Sequence, residues 1–106
     1  MIETRKKVAE ILRKVRLGSL RVKDALLLFP DDSKDRSVVA CYHALIHYDA
    51  DEDLRLRDKL YAEEQDDYIE FLSNIMEKGE NVPENIIVNY EQYYKAGNIP
   101  HQKNTK

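Results

Sequence analysis

The chain has 106 residues, of which 42% are hydrophobic and 35% are charged, and its formal net charge is −3. This composition is typical of one globular domain and excludes an intrinsically disordered chain. Glycine and proline punctuate turns, and the chain has only three of each, so we predict an all-α fold. We expect a compact bundle of about five helices, with no sheet, over residues 1–97, followed by a flexible C-terminal tail over residues 98–106.

The first two predicted helices are separated by a glycine. Apolar residues recur at i, i+3, i+4 and i+7 over about residues 3–17, and Gly18 is a natural stop. The stripe consists of Val8, Ile11, Leu12 and Val15. The second helix is predicted to start behind Ser19 as N-cap and to end at Phe29, because Pro30 prevents continuation. Its apolar residues point nearly all round, so we expect burial by neighbouring helices or by another subunit.

The third helix is predicted over about residues 34–48, with Asp32 or Ser33 as its N-cap. The angle of 100° between successive residues gives this helix two faces. The core face is formed by Val38, Tyr42 and Leu45, flanked by Val39, Cys41 and Ile46. The second face carries Arg36, Ala40, His43 and His47. We expect this second face to be solvated or packed on a partner.

The last two predicted helices are delimited by glycines. The fourth is predicted to begin between Asp51 and Asp58 and to end at Gly79. The fifth has Pro83 at or near its first turn and closes at Gly97. The fifth presents a tyrosine-rich side that includes Tyr90, Tyr93 and Tyr94. Because tyrosines are enriched at interfaces, these three are candidates for partner binding.

Glu64 has an unusual position on the fourth helix. On the helical wheel it falls between Leu60 and Phe71, inside an apolar arc. A carboxylate directed at a core is costly unless it is paired, so we predict that Glu64 faces the core and is held by a cation or by the hydroxyls of Tyr61 and Tyr68. Two alternatives are a catalytic or ligand-binding role for Glu64 and a helix phase that leaves it exposed.

Charge is divided unevenly along the chain. Residues 1–30 hold eight Lys/Arg against three Asp/Glu, whereas residues 31–80 hold six against fifteen. We expect the basic and acidic elements to face each other inside the fold or across a dimer, rather than to serve an external partner. The first helix has a basic amphipathic pattern that suits RNA or an anionic membrane, but the pI of about 5.6 argues against a dedicated nucleic-acid binder.

The N-terminal segment has no uninterrupted apolar run, and no run approaches the roughly 20 residues that span a bilayer. We therefore expect neither a signal peptide nor membrane insertion. The chain has one cysteine, Cys41, which excludes an internal disulfide. We interpret Cys41 as a small buried thiol in a reducing cytosol, with a nucleophilic cysteine as the alternative.

Two chemical interpretations compete for the second face of the third helix. His43 and His47, four residues apart, could grip one metal ion, with Asp51 one turn further as a third ligand. Alternatively, Arg36 could neutralise a phosphodiester while His43 moves a proton. The segment "RSVVACYHALIHY" resembles the Arg-x4–6-His segment of HEPN-type helical ribonucleases. That resemblance implies phosphate contact for Arg36 and proton transfer for His43.

The acidic segments "DADED" and "EEQDD" give a further hydrolase interpretation. Their acid-rich helix faces resemble those of MazG-type nucleotide pyrophosphatases, which hold magnesium with Glu and Asp from two helices, although the paired E-x-x-E motif is absent. The residues concerned are Glu63, Glu64, Asp66 and Asp67, opposed by Asp49, Asp51, Glu52 and Asp53.

The sequence contains no glycine-rich phosphate loop, CxxC pair or G-x-S-x-G elbow, which removes most familiar nucleotide-binding, zinc-ribbon and hydrolase classes. We therefore expect a small cytoplasmic helical protein without a cofactor. It would bind a protein partner or associate with itself as a homodimer. The alternative function is a small phosphate-ester hydrolase that acts through Arg36 and His43 or through the acidic helix faces. Catalysis by Arg36, His43 or Glu64 is the less favoured interpretation.

Overall fold

The computed structural model describes residues 2–30 and 34–93. Its six helices are α1 (Ile2–Arg16), α2 (Val22–Leu28), α3 (Arg36–Ala50), α4 (Glu52–Arg57), α5 (Lys59–Glu77) and α6 (Glu84–Tyr93). No strand occurs in the described ranges, so the predicted all-α helical bundle is confirmed. The predicted end of the fifth helix at Gly97 and the predicted tail over residues 98–106 lie outside the described residues.

Both long helices that pack against each other end at a predicted glycine. The N–H of Gly18 donates to the carbonyl of Val15, and the N–H of Gly79 donates to that of Met76, each at 3.0 Å. The two glycines have φ angles of 81° and 72°, in the left-handed region where a side chain is disfavoured. At Gly79 a Cβ would also meet Cγ1 of Ile2 at 3.2 Å. The ends of α1 and α5 were therefore predictable from two residues.

Three helix starts differ from the predicted ones. The N-cap of α3 is Asp35, whose carboxylate accepts from the backbone N–H of Ser37 at 3.1 Å; Asp32 and Ser33 lie outside the described residues. The hydroxyl of Ser19 donates to a carbonyl of α1 instead of capping α2, whose N-cap is Arg21, two residues later. The predicted fourth helix is two helices, because Asp58 is extended and caps a new helix through the N–H of Tyr61.

The core lies between α1, α3 and α5. The predicted stripe of α1 and the predicted core face of α3 are both buried, as the side-chain accessibilities of Leu12 and Leu45 (each 0%) show. The end of α1 lies beside the middle of α5, because Arg16 Nε donates to the carbonyl of Asp66, and the start of α1 lies beside the end of α5, because Arg5 Nη1 donates to the carbonyl of Gly79. The two helices are therefore antiparallel. The α5 residues that complete the core are Ile69, Leu72, Ser73 and Met76.

The helices of this chain bury α2 on one side only, so the predicted burial by neighbouring helices is wrong, and burial by another subunit stays a prediction. Only Val22 and Ala25 are buried in this helix, and Leu27 is 76% exposed. A helix of seven residues turns one side toward α1 and α3, where Leu26 is partly buried against the core, whereas Leu27 and Leu28 stay exposed.

A buried ion pair joins three segments that are distant in sequence. The guanidinium of Arg5, on a residue only 6% exposed, donates to both carboxylate oxygens of Asp35 at 3.0 Å. It also donates to the backbone carbonyls of Gly79 and Glu80 at 3.1 and 2.7 Å. Burial alone would raise the pKa of Asp35, but the hydrogen bonds from Arg5 and from the α3 backbone outweigh it and lower that pKa. The start of α1, the start of α3 and the end of α5 are thereby held together.

The opposite charges of the two halves meet inside the fold, as expected. Arg13 pairs with Glu77, and Arg16 Nε lies 3.1 Å from a carboxylate oxygen of Glu70. Both pairs are largely solvated, so each contributes little to stability. They flank the α1–α5 contact on its solvent side. Among residues 2–30 and 34–93, no helix combines the length and the apolar character that crossing a bilayer requires.

Cys41 is a free, fully buried thiol, and burial raises its pKa to about 12. Because the thiolate is the reactive form, we expect the native protein at pH 8 to react with a disulfide reagent at least about 100-fold more slowly than the urea-unfolded chain. Cys41→Ala should keep the fold and lose about 1–2 kcal/mol through lost packing. Native labelling within about tenfold of the unfolded rate would contradict this burial.

Candidate functional site

The second face of α3 is covered by α6 of the same chain. The Arg36 guanidinium donates to both carboxylate oxygens of Glu91, at 2.8 and 2.9 Å. It also donates to a carboxylate oxygen of Glu84 at 2.9 Å. These two carboxylates raise the pKa of Arg36. Arg36 therefore fastens α6 to the first turn of α3 through two acidic side chains.

The two histidines of α3 contact the tyrosines of α6. The ring centroid of Tyr90 lies 6.0 Å from that of His43 and 5.7 Å from that of His47. The rings of His47 and Tyr93 are 5.0 Å apart. His43 is only 4% exposed, and burial together with the neighbouring His47 lowers its pKa to about 4. His43 is thus a neutral imidazole at pH 7.

The candidate residues of this face all contact α6, because α6 packs against α3. Arg36 and His43 lie two turns apart on α3, about 10 Å along its axis, and both are engaged under or beside α6. Of the predicted partner-binding tyrosines, Tyr90 and Tyr93 contact α3 itself, and Tyr94 lies outside the described residues. This geometry favours a structural role for the Arg36–His43 pair.

The acidic candidates are used in separate hydrogen bonds. Asp51 accepts from the hydroxyl of Tyr61 at 2.6 Å, and Asp66 accepts from the hydroxyl of Tyr48 at 2.7 Å. Within the part of the chain that the structure describes, no three His, Cys, Asp or Glu side chains form a group that could hold a metal ion. Asp49, Glu52 and Asp53 are exposed on α3 and α4.

The predicted orientation of Glu64 toward the core is wrong, because its side chain is exposed. The apolar arc of α5 is wider than the side that α1 and α3 cover. Leu72 and Met76 on one edge of the arc are fully buried, whereas Leu60 and Phe71 on the other edge are 67% and 43% exposed. Glu64 lies on this uncovered edge, and Tyr61 bonds to Asp51 instead.

The uncovered edge forms a continuous surface, which we call the outer face of α5. Its residues are Leu60, Glu63, Glu64, Asp67 and Phe71, all exposed. They share one side of the helix because they are spaced by three, four or seven residues. Sequence reasoning found the apolar arc but missed its exposure.

Phe71 lies beside a tyrosine bridge between α5 and α6. The hydroxyls of Tyr68 and Tyr90 are 2.9 Å apart, and the rings of Tyr68 and Phe71 stack with centroids separated by 6.3 Å. No Cα atom of α5 lies within 8 Å of one of α6, so these side chains span a gap between the helices. Phe71 therefore lies beside the side-chain bridge that joins α5 to α6.

A depression of about 320 Å³ lies beside α1. Its lining is formed by Lys6, Glu10, Arg13, Lys14, Leu17 and Glu77. Positive and negative side chains alternate there, and Arg13 is paired with Glu77, which lowers the pKa of that glutamate. Because both basic and acidic side chains line this depression, it favours neither an anionic nor a cationic ligand.

Comparison of the chain with protein-family models, with curated proteins and with solved structures gives no match. The assignment of a function therefore depends on the geometry and chemistry of these surfaces.

Proposed function

We propose that this chain is a cytoplasmic protein-interaction module whose binding surface is the outer face of α5. The observation that carries the proposal is the exposure of Leu60 and Phe71 on a long helix whose opposite side forms the core. Leu56 of α4, which is also exposed, precedes this face in the chain. Exposed apolar side chains that share a helix face with charged ones are found at protein-binding sites. The free thiol of Cys41 fits a reducing compartment.

Leu60 and Phe71 would supply a measurable part of the binding free energy. Completing the burial of Leu60 and Phe71 would contribute about 2–3 kcal/mol, which corresponds to about 30- to 160-fold in affinity. The ring of Phe71 stacks on that of Tyr68, which lowers the rotamer entropy that a partner's contact would cost. Self-association through the same face is the homodimeric form of this proposal.

Site-specific photocrosslinking in cells tests the proposal. With p-benzoylphenylalanine in place of Leu60 or Phe71, we expect one adduct of defined mass. The same replacement of Leu27, an equally apolar and exposed residue of α2, should give none. An adduct of twice the chain mass would identify the homodimer. Absence of adducts at both α5 positions, or the same adducts at Leu27, would contradict the assigned surface.

A further inference from the structure

α6 is attached to the rest of the fold through one helix and few buried side chains. Among the described helices, only α3 has Cα atoms within 8 Å of those of α6. Ile87 is the one buried residue of α6, whereas α5 buries four of its residues. Segments with few buried apolar contacts open at a lower free energy than the core does. α6 is therefore a helix that can leave the fold while α1, α3 and α5 stay together.

The segment before α6 is anchored to the core. Val82 is 2% exposed, and its N–H donates to the hydroxyl of Ser37 on α3 at 2.9 Å. Pro83 comes next, and its carbonyl accepts the first backbone hydrogen bond of α6, from the N–H of Ile86 at 3.0 Å. Rotation of the backbone between Val82 and α6 would thus move the helix as one unit and leave the anchored segment in place.

The contact between α6 and α3 combines an exposed charge clamp with a buried imidazole. Arg36 holds Glu84 and Glu91, and all three side chains are about half exposed or more, so these ion pairs break at little cost. Further along α3, the ring of Tyr90 lies against that of His43, which is 4% exposed. Lifting α6 would therefore break solvated ion pairs and give His43 access to water.

A proton on His43 is unfavourable while α6 is in place, because it would create a buried cation. The titratable and charged groups of its cluster come from three helices: Tyr42 and His47 on α3, Tyr90 and Glu91 on α6, and Tyr68 of α5, whose hydroxyl meets that of Tyr90. Glu91 is the one carboxylate among them, and both of its oxygens already accept from Arg36. The closed cluster thus offers an imidazolium little compensation for lost solvation.

We propose that α6 is a strap that opens from α3 as one unit and that proton uptake by His43 favours the open form. Burial holds the pKa of His43 at about 4 in the closed form, and access to water returns it toward 6.5, so opening binds a proton. The open fraction then rises as the pH falls from 6.5 toward 4, by about 20-fold between pH 7 and pH 5. Opening uncovers Arg36, His43 and His47 on a helix with no acidic residue before Asp49, so acid would present a basic surface that is covered at neutral pH.

Native-state hydrogen exchange of the full-length chain tests the inference. At pH 7 the amides of α6 should be at least about tenfold less protected than those of the buried residues of α5. Between pH 7 and pH 5, after correction for the intrinsic exchange rate, protection of α6 should fall about 20-fold in the wild type and less than about threefold in His43→Phe. Arg36→Gln should lower it about two- to fivefold at both pH values, because the clamp is lost and the titrating group remains.

The matched control is Arg21→Gln, which removes an exposed arginine paired with Asp24 and should leave the protection of α6 unchanged. Low urea concentrations should accelerate exchange in the core and hardly affect α6, since opening a strap exposes little surface. Circular dichroism verifies that each variant is folded, and His43→Leu replaces His43→Phe if that variant is not. Equal protection of α6 and α5 would show that α6 leaves only when the whole domain unfolds, and it would overturn the inference. So would a pH dependence of α6 exchange that persists without His43.

Discussion

Replacing Arg5 by leucine is expected to lower the free energy of unfolding by about 3–5 kcal/mol. The substitution leaves the Asp35 carboxylate buried without its cation, and it leaves the carbonyls of Gly79 and Glu80 without their donor. Removing one partner of a buried pair is costly because the other charge stays out of water. Urea denaturation of the two proteins at pH 7 measures the difference.

The matched control is Arg13→Leu, which removes an exposed arginine from the same helix. Its loss should stay below about 1 kcal/mol, since a solvated ion pair contributes little. The double variant Arg5→Leu/Asp35→Asn should be more stable than Arg5→Leu alone, because no buried charge remains. If the losses at Arg5 and Arg13 are equal, the ion pair at Asp35 does not hold the three segments together.

Acidification is expected to destabilise the protein through His43. In the unfolded chain this imidazole binds a proton near its usual pKa of 6.5, whereas in the folded protein burial lowers the pKa to about 4. The unfolded state therefore takes up protons first. The stabilisation is complete above pH 6.5 and is lost as the pH falls toward 4, with a loss of about 2 kcal/mol at pH 5 and about 3 kcal/mol at pH 4.

The diagnostic window is pH 6.5 to 5, because carboxylates such as Asp35, whose pKa is lowered, titrate further down. Chemical denaturation across this window should show a steady fall for the wild type. His43→Phe keeps a ring against Tyr90 but removes the titrating group, so its stability should be nearly flat there. A wild-type protein equally stable at pH 5 and 6.5 would show that His43 takes up a proton in the folded state.

Local signals predicted those parts of the fold that depend on neighbouring residues. Gly18 and Gly79 mark helix ends because glycine adopts the left-handed backbone conformation by itself, without contacts from distant parts of the chain. The stripe of α1 was predictable because its four positions share one side. The N-cap of α3 was not predictable, because several acids and a serine precede that helix. Asp35 is held there by Arg5, which is distant in sequence.

The same distinction applies to the candidate sites. The wheel placed Arg36 and His43 on a face away from the main stripe, but nothing local shows that Glu84 and Glu91 would arrive there. For Glu64 the wheel gave the right angle and the wrong environment. Which half of an apolar arc is buried depends on where the neighbouring helices pack against it. That placement is set by the tertiary structure.

The apolar stripe of α1 is covered by a helix that the ribosome makes much later. Met76 follows the end of α1 by about 60 residues, which at about 5–20 residues per second takes about 3–12 s. During that time Val8 and Leu12 lack the cover that α5 gives them in the fold, and such surface favours aggregation of a nascent chain. The exposed lysines of α1 (Lys6, Lys7 and Lys14) then have a second use, because like charges keep emerging chains apart until α5 arrives.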